Sequence, residues 1–153
     1  MAKYNTTRFG EIELNDEDII QFPTGLYGFE KETRFVIMPF DEVDCPLEWM
    51  QSLINPALAF VVTDPFIFVP DYEPALLDSE KKEIGLEPED PFVIRVIVNI
   101  PEAYTEMTAN LVGPIAMNRD TQIARQFILT TLKYDTRHYL FSEEIRKANT
   151  SKV

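Results

Sequence analysis

The sequence has very few of the residues that build disulfides, metal centres and many catalytic sites. It contains one cysteine, Cys45, and one histidine, His138, among 153 residues. A single cysteine cannot form an internal disulfide and is typical of a protein from a reducing compartment. No stretch approaches the roughly 18 consecutive apolar residues that a membrane-spanning helix needs, and no apolar run follows Lys3 at the N-terminus. These absences predict a cytoplasmic protein that does not enter a membrane.

Basic residues are also scarce. The chain has 14 lysines and arginines against 26 aspartates and glutamates, which gives a formal net charge of −12. This charge repels phosphate backbones and anionic membrane surfaces, so direct binding to nucleic acid is disfavoured. The acidity either only keeps the protein dispersed in solution or provides an acidic face for a basic partner. Composition alone does not separate these two interpretations.

The residues that could perform catalysis do not form a convincing set. Cys45 and His138 are far apart in the sequence, and Cys45 has no neighbouring cation to activate it as a nucleophile. His138, near Asp135, either belongs to an acid–base pair or ties a turn to backbone carbonyls or a carboxylate, and the second interpretation is favoured. The acidic runs 16–18 and 87–90 lack the glycine and ligand spacing of an EF-hand loop. We therefore expect no metal, no cofactor and no enzymatic activity.

Most of the chain consists of short β-patterned runs separated by polar or proline-bearing turns. About nine such runs predict strands, among them 9–14, 19–22, 34–40, 92–100 and a long final strand 122–132. In the last of these, Ala124, Ile128 and Leu132 also fit a helical spacing. One short helix is predicted, with Ser79 as N-cap and Gly85 as its stop. The predicted fold is all-β and mainly antiparallel, a single-domain sandwich or barrel-like fold over residues 1–141. A polar C-terminal tail, residues 142–153, would form a short helix or a loose segment.

The stretch from Leu47 to Tyr72 has the densest run of β-branched and aromatic residues. It includes Trp49, the only tryptophan, which we expect to be largely buried. Asn55-Pro56 and Asp64-Pro65 interrupt the run and predict strand, turn, strand, corner, strand. After the second corner, Phe66 and Phe68 either share one buried strand face or line a groove together with Tyr72.

Four groups of motifs, in a fixed order, carry a family resemblance. They are Phe22-Pro23-Thr24-Gly25-Leu26-Tyr27-Gly28-Phe29-Glu30; then Trp49-Met50-Gln51-Ser52, Leu58-Ala59-Phe60-Val61-Val62, Asp64-Pro65 and Pro70-Asp71-Tyr72; then Met107-Thr108-Ala109-Asn110-Leu111-Val112-Gly113-Pro114-Ile115; and Tyr134-Asp135-Thr136-Arg137-His138. Together they resemble the FliW family of flagellar assembly factors over residues 8–140. The resemblance implies a barrel-like β fold and a cytoplasmic protein that holds flagellin. When free of flagellin, such a protein would bind the RNA-binding regulator CsrA and antagonise its translational repression.

Two places are candidates for partner binding. The first is the proline-bearing corner with Asp64, Phe66, Asp71 and Tyr72, since such corners present a rigid backbone, a carboxylate and an aromatic ring together. The second follows from the resemblance and comprises Tyr134, Arg137 and His138. The alternative function is a β-barrel that binds a small apolar ligand in an internal cavity.

Overall fold

The structure, a computed structural model, describes residues 2–42, 44–131 and 133–150. The strands are β1 (Ala2–Thr6), β2 (Gly10–Leu14), β3 (Ile20–Gln21), β4 (Arg34–Pro39), β5 (Leu47–Ser52), β6 (Ala59–Thr63), β7 (Val93–Asn99), β8 (Thr108–Ala109), β9 (Ile115–Met117), β10 (Ala124–Gln126) and β11 (His138–Tyr139). The helices are α1 (Pro65–Phe68), α2 (Asp78–Glu83) and α3 (Glu143–Thr150), with 3₁₀ turns at Asp16–Asp18 and Tyr104–Glu106.

One large antiparallel sheet forms the body of the protein. Its strand order is β10-β9-β7-β6-β5-β4-β3, and β8 joins it by pairing with both β7 and β11. The sheet curls until its two edges approach, where the Gln21 N–H donates to the Gln122 carbonyl at 2.9 Å and a single parallel bridge joins Gln21 to Ile123. The prediction of a mainly antiparallel all-β fold is confirmed, and the barrel is not closed.

Each face of the sheet packs against a different apolar cluster, because successive side chains of a strand point to opposite faces. One cluster lies on the concave face and includes Phe22, Phe35 and Met50. A larger cluster on the opposite face includes Val96 and Val98 of β7. The segments after β6 and after β10 contribute to the larger cluster, and this places the corner at Asp64 next to the C-terminal motif.

The hairpin β1–β2 covers β4 and β5 on the outer face. Its register pairs Ala2 with Leu14, and the Thr6 hydroxyl holds the turn by donating to the Gly10 carbonyl at 2.8 Å. The sequence predicted a strand over 9–14, which agrees with β2, but β1 was missed because its alternate residues are polar and exposed. Leu14 then packs with Val36 of β4.

Trp49 is partly buried, but it belongs to none of the three core clusters of the described residues, so the expectation of a core side chain is wrong in position. Its ring stacks on Phe40 with centroids 4.6 Å apart, and the Arg8 guanidinium lies 4.2 Å from the indole centroid. Phe9 meets the same ring edge-on. Trp49 therefore joins the N-terminal hairpin to the sheet from the outside and does not fill the interior.

The predicted helix near residue 80 exists, but its N-cap is Leu77 and not Ser79. The Glu80 carboxylate accepts the Leu77 N–H at 2.8 Å, and this contact takes the place of a serine cap. Gly85, with φ +77°, ends the helix as predicted, and the Leu86 N–H bonds back to the Lys81 carbonyl. Of the three helices in the described part, α2 is the one predicted near residue 80, α3 agrees with the short-helix interpretation of the tail, and α1 was not predicted.

The predicted final strand, 122–132, is wrong in extent, since β10 covers only Ala124–Gln126 and Leu132 lies outside the described residues. Phe127 and Leu129 continue as irregular backbone, donating to the Pro114 and Val112 carbonyls. In the tail, α3 docks through Arg146, whose guanidinium lies 3.6 Å from the Tyr139 ring centroid. Residues 151–153 lie outside the described part, and the division at residue 141 stays a prediction.

Candidate partner-binding surface

The corner after β6 is a single helical turn that presents apolar side chains to solvent. The Asp64 carboxylate accepts the Phe66 N–H at 3.0 Å as an N-cap, and Pro65 occupies the first helical position. The interpretation of this segment as a strand is wrong, because Asp-Pro is a helix start. As a result Phe66 is 41% exposed and Ile67 is 56% exposed. Phe66 and Phe68 do not share a buried strand face.

Tyr72 lies behind this corner and is only 3% exposed. Its hydroxyl donates to the Leu111 carbonyl at 2.7 Å. Burial, with Tyr134 nearby as a second cause, raises the pKa of the Tyr72 phenol. The expectation that Tyr72 is exposed is therefore wrong, since it packs against Phe66 from beneath with ring centroids 5.9 Å apart. Its part in partner binding stays a prediction.

Tyr134 connects the C-terminal motif to the same place. Its ring meets Tyr72 edge-on with centroids 4.8 Å apart, and its hydroxyl accepts the Glu73 N–H at 2.8 Å. Next to it, the Asp135 carbonyl accepts the Leu111 N–H at 3.1 Å. The two predicted groups of site residues thus meet through Tyr72 and Tyr134, although they are far apart in the sequence.

A mostly apolar groove of about 320 Å³ lies between the corner and the start of β7. Its lining consists of Phe66, Tyr72, Glu73, Pro74, Ala75, Phe92 and Ile94. Of the two interpretations that the sequence left open, the groove is therefore the one observed, with Phe66 on its wall and Phe68 outside it. Phe92 and Ile94 were missed as site residues because their β pattern indicated only a strand.

The remaining predicted residues do not line this groove. Asp71 and Arg137 are exposed, and Asp64 is half-buried at the base of α1. His138 is half-buried in β11, where it pairs with Ala109 of β8. This is a backbone pairing, so both interpretations of the His138 side chain, the acid–base pair and the tie that holds a turn, stay predictions.

The structure bears on three other expectations. Within residues 2–42, 44–131 and 133–150, no group of three or more histidine, cysteine, aspartate or glutamate side chains could hold a metal ion. None of the helices in the described ranges is long and apolar enough to cross a membrane. An interior void between Phe22, Met50 and Ala124 measures only about 10 Å³, too small for an apolar ligand.

Comparisons with known proteins agree with the geometry. Residues 3–140 match the family described as FliW protein. The flagellar assembly factor FliW of Desulfitobacterium hafniense (strain Y51) is 43% identical over 141 residues, covering 92% of this chain and 92% of that protein. The FliW of Caldanaerobacter subterraneus subsp. tengcongensis is 42% identical over 144 residues, 94% and 95% of the two chains. A crystal structure of the flagellar assembly factor FliW superposes with a TM-score of 0.84 at 36% identity, covering 94% of this chain and 99% of that one. The chain belongs to the FliW family.

Proposed function

We propose that this protein is a cytoplasmic flagellar assembly factor that works by protein–protein binding and not by catalysis. Its partners are flagellin and, when flagellin is absent, a CsrA-type RNA-binding regulator whose translational repression it antagonises. Membership of the FliW family supports the role in assembly, because the relatives carry the name of flagellar assembly factors. The two named partners follow from the motif resemblance.

The observation that carries the proposal is the exposed apolar wall of the groove. Phe66 and Ile67 are two adjacent exposed apolar side chains, and they lie beside a concave apolar surface on a protein with a formal net charge of −12. Aromatic side chains that enter or flank a pocket are the residues that contribute most to binding energy at interfaces. Carboxylates around such a core, here Asp64, Asp71 and Glu73, speed the approach of a basic partner.

Tyr72 and Tyr134 act in this proposal as the support that fixes the wall in place. Their mutual ring contact, and the hydrogen bonds to Leu111 and Glu73, tie the corner to the loop before β9 and to the C-terminal motif. Arg137 and His138 stay candidates for a second contact region. A basic regulator bound near the acidic rim would hold RNA phosphates less well, even if its RNA site stayed open.

The test is Phe66→Ala, with Phe29→Ala as a matched control. Phe29 has the same 41% exposure but packs on Phe60, away from the groove lining. Loss of an aromatic anchor at an interface is expected to weaken binding of flagellin and of the regulator by about 2 kcal/mol, roughly 30-fold in Kd. Calorimetric titration of both variants with each partner measures this change in Kd. If the Phe66→Ala variant binds each partner as tightly as the Phe29→Ala variant does, the groove is not the contact surface.

A further inference from the structure

A second concave surface lies on the opposite side of β7 from the groove, and we call it the β4 cleft. It is open to solvent and has a volume of about 470 Å³, within the range of ligand-binding clefts. Its lining is Leu14, Glu17, Asp18, Ile20, Val36, Ile37, Met38, Val93, Arg95, Met117 and Gln122. None of these residues lines the groove at Phe66, so the β4 cleft is a separate surface.

One wall of the β4 cleft is a strand edge without a neighbour. Along β4, the ladder with β3 includes only Arg34 and Phe35, whereas the ladder with β5 includes the whole stretch from Phe35 to Pro39. Within the described part of the chain, 36–39 therefore has no strand on the β3 side. Unpaired edges of this kind are templates onto which another extended chain can add.

The backbone of Ile37 is directed into this open side. Residues of an antiparallel strand alternate between their two neighbours. Arg34 and Phe40 bond to the β5 side, since the Leu53 N–H donates to the Arg34 carbonyl and the Phe40 N–H donates to the Leu47 carbonyl. By this alternation Ile37 presents its N–H and C=O to the cleft. Pro39, the next residue facing that way, has no N–H and so limits an added strand to the stretch before it.

The charge of the cleft favours a basic occupant. Arg95 is already paired, because its Nε lies 2.7 Å from the Glu48 Oε1 and its Nη1 donates to the Ile94 carbonyl. Glu17 and Asp18 are exposed at the rim and form no ion pair with any residue in the described ranges. The Asp18 carboxylate already accepts the Asn15 N–H at 2.9 Å, but neither carboxylate has a cationic partner in the described ranges. Two carboxylates without a cation beside an apolar floor suit a lysine or arginine flanked by apolar side chains.

Gln122, at the junction of the two sheet edges, adds a further reason to expect a ligand here. Its φ is +61°, which is uncommon for a residue other than glycine. Its side-chain Nε2 donates to the Glu17 carbonyl at 2.9 Å, while its Oε1 is buried and has no partner among the described residues. Backbone strain and an unsatisfied buried acceptor both concentrate at binding sites.

We propose that the β4 cleft binds an extended, basic segment of a partner protein, which adds to β4 as a strand. A lysine or arginine of that segment lies beside Glu17 and Asp18, and its apolar side chains pack against Met38 and Met117. Methionine suits this role because its flexible side chain adapts to different apolar partners. The proposal goes beyond the groove at Phe66 and does not depend on it.

The probe is an acetylated and amidated heptapeptide, Thr-Val-Lys-Val-Thr-Val-Thr, titrated into the full chain at concentrations up to about 1 mM. Saturable one-to-one binding is expected. Hydrogen exchange of the Ile37 amide, followed by NMR, is expected to slow by about tenfold or more at saturation, because that N–H gains a partner. The same peptide with an N-methyl group on every backbone amide has no N–H on either edge to donate to β4, and it is expected to bind at least about tenfold more weakly.

The charge argument is tested with Glu17→Lys against Glu102→Lys, an equal charge change at an exposed residue outside the cleft lining. Only Glu17→Lys is expected to weaken binding of the probe, by several-fold in Kd. Equal weakening by both variants would show general attraction to an acidic protein and would overturn the proposal. No saturable binding, or binding that leaves Ile37 exchange unchanged, would overturn it as well. Phe66→Ala is expected to leave probe binding unchanged, so this result and the groove result are independent.

Discussion

Replacing Tyr72 by phenylalanine isolates one buried hydrogen bond beneath the groove. The variant keeps the ring that packs on Phe66 and Tyr134 and removes only the hydroxyl that donates to the Leu111 carbonyl at 2.7 Å. With Tyr72 only 3% exposed, water cannot replace the lost donor without a rearrangement. An unsatisfied buried acceptor costs about 1–3 kcal/mol, and this is the expected loss in the free energy of unfolding.

Urea unfolding followed by Trp49 fluorescence measures this loss. With an m-value of about 2 kcal/mol/M, the midpoint is expected to fall by roughly 0.5–1.5 M while m stays unchanged. The control is Tyr104→Phe, which removes a hydroxyl from a side chain that is 59% exposed. Tyr104→Phe is expected to change the free energy of unfolding by no more than about 0.5 kcal/mol.

The pH dependence gives a second measurement of the same group. Burial, with Tyr134 as the lesser cause, raises the pKa of Tyr72 in the folded protein above the ordinary tyrosine value of about 10. The unfolded chain therefore releases this proton first, so the stability from Tyr72 is fully present below about pH 10 and is lost as the pH rises further. The stability difference between the parent and Tyr72→Phe is expected to narrow above that pH. Equal midpoints for Tyr72→Phe and Tyr104→Phe, or a difference that does not change with pH, would refute the reasoning.

Three further outcomes are expected. Trp49→Ala should lower the free energy of unfolding by about 2–3 kcal/mol, below the cost for a fully buried ring, as measured by circular dichroism in urea. Asp71→Lys should leave the unfolding midpoint unchanged and should slow association with the CsrA-type regulator at low salt only. Equal association rates for Asp71→Lys and the parent at low salt would contradict the proposal that carboxylates around the groove speed the approach of a basic partner. Gly25→Ala should destabilise the protein by about 1–3 kcal/mol more than Gly10→Ala, as measured by thermal unfolding. Both glycines have a similar positive φ, but only at Gly25 would an added Cβ lie 2.5 Å from a backbone oxygen, the carbonyl of Glu30.

The strands were predictable where the sequence alternates. In β7, Val93, Arg95 and Ile97 face one side and Ile94, Val96 and Val98 the other, and the observed burial follows that alternation. After Asp64-Pro65, a strand-like apolar pattern and a helix-start signal occur in the same segment. The run after Asp64-Pro65 is as apolar as a strand, yet the N-cap carboxylate and the proline after it start a helix, and those signals were present in the sequence.

Contacts between distant parts of the chain could not be predicted. Tyr72 is buried because Leu111, 39 positions later, accepts its hydrogen bond, and the Glu73 N–H meets Tyr134 from 61 positions away. Nothing near Tyr72 in the sequence indicates that a tyrosine beside an acidic corner faces inward. The end of β10 has a similar origin, since Phe127 meets the proline-bearing turn at Pro114 and not a further strand residue.

β7 connects the two proposed binding surfaces through the period of a strand. Ile94 lines the groove beside Phe66, whereas its neighbours Val93 and Arg95 line the β4 cleft. Because adjacent residues of a strand point to opposite faces, a partner in the groove and a partner segment in the cleft approach from opposite sides of the sheet. Neither therefore occupies the space of the other at β7. The Arg95 contacts to Glu48 and to the Ile94 carbonyl hold this part of β7 in place from the cleft side. These contacts therefore also fix the position of Ile94 in the groove wall on the opposite face.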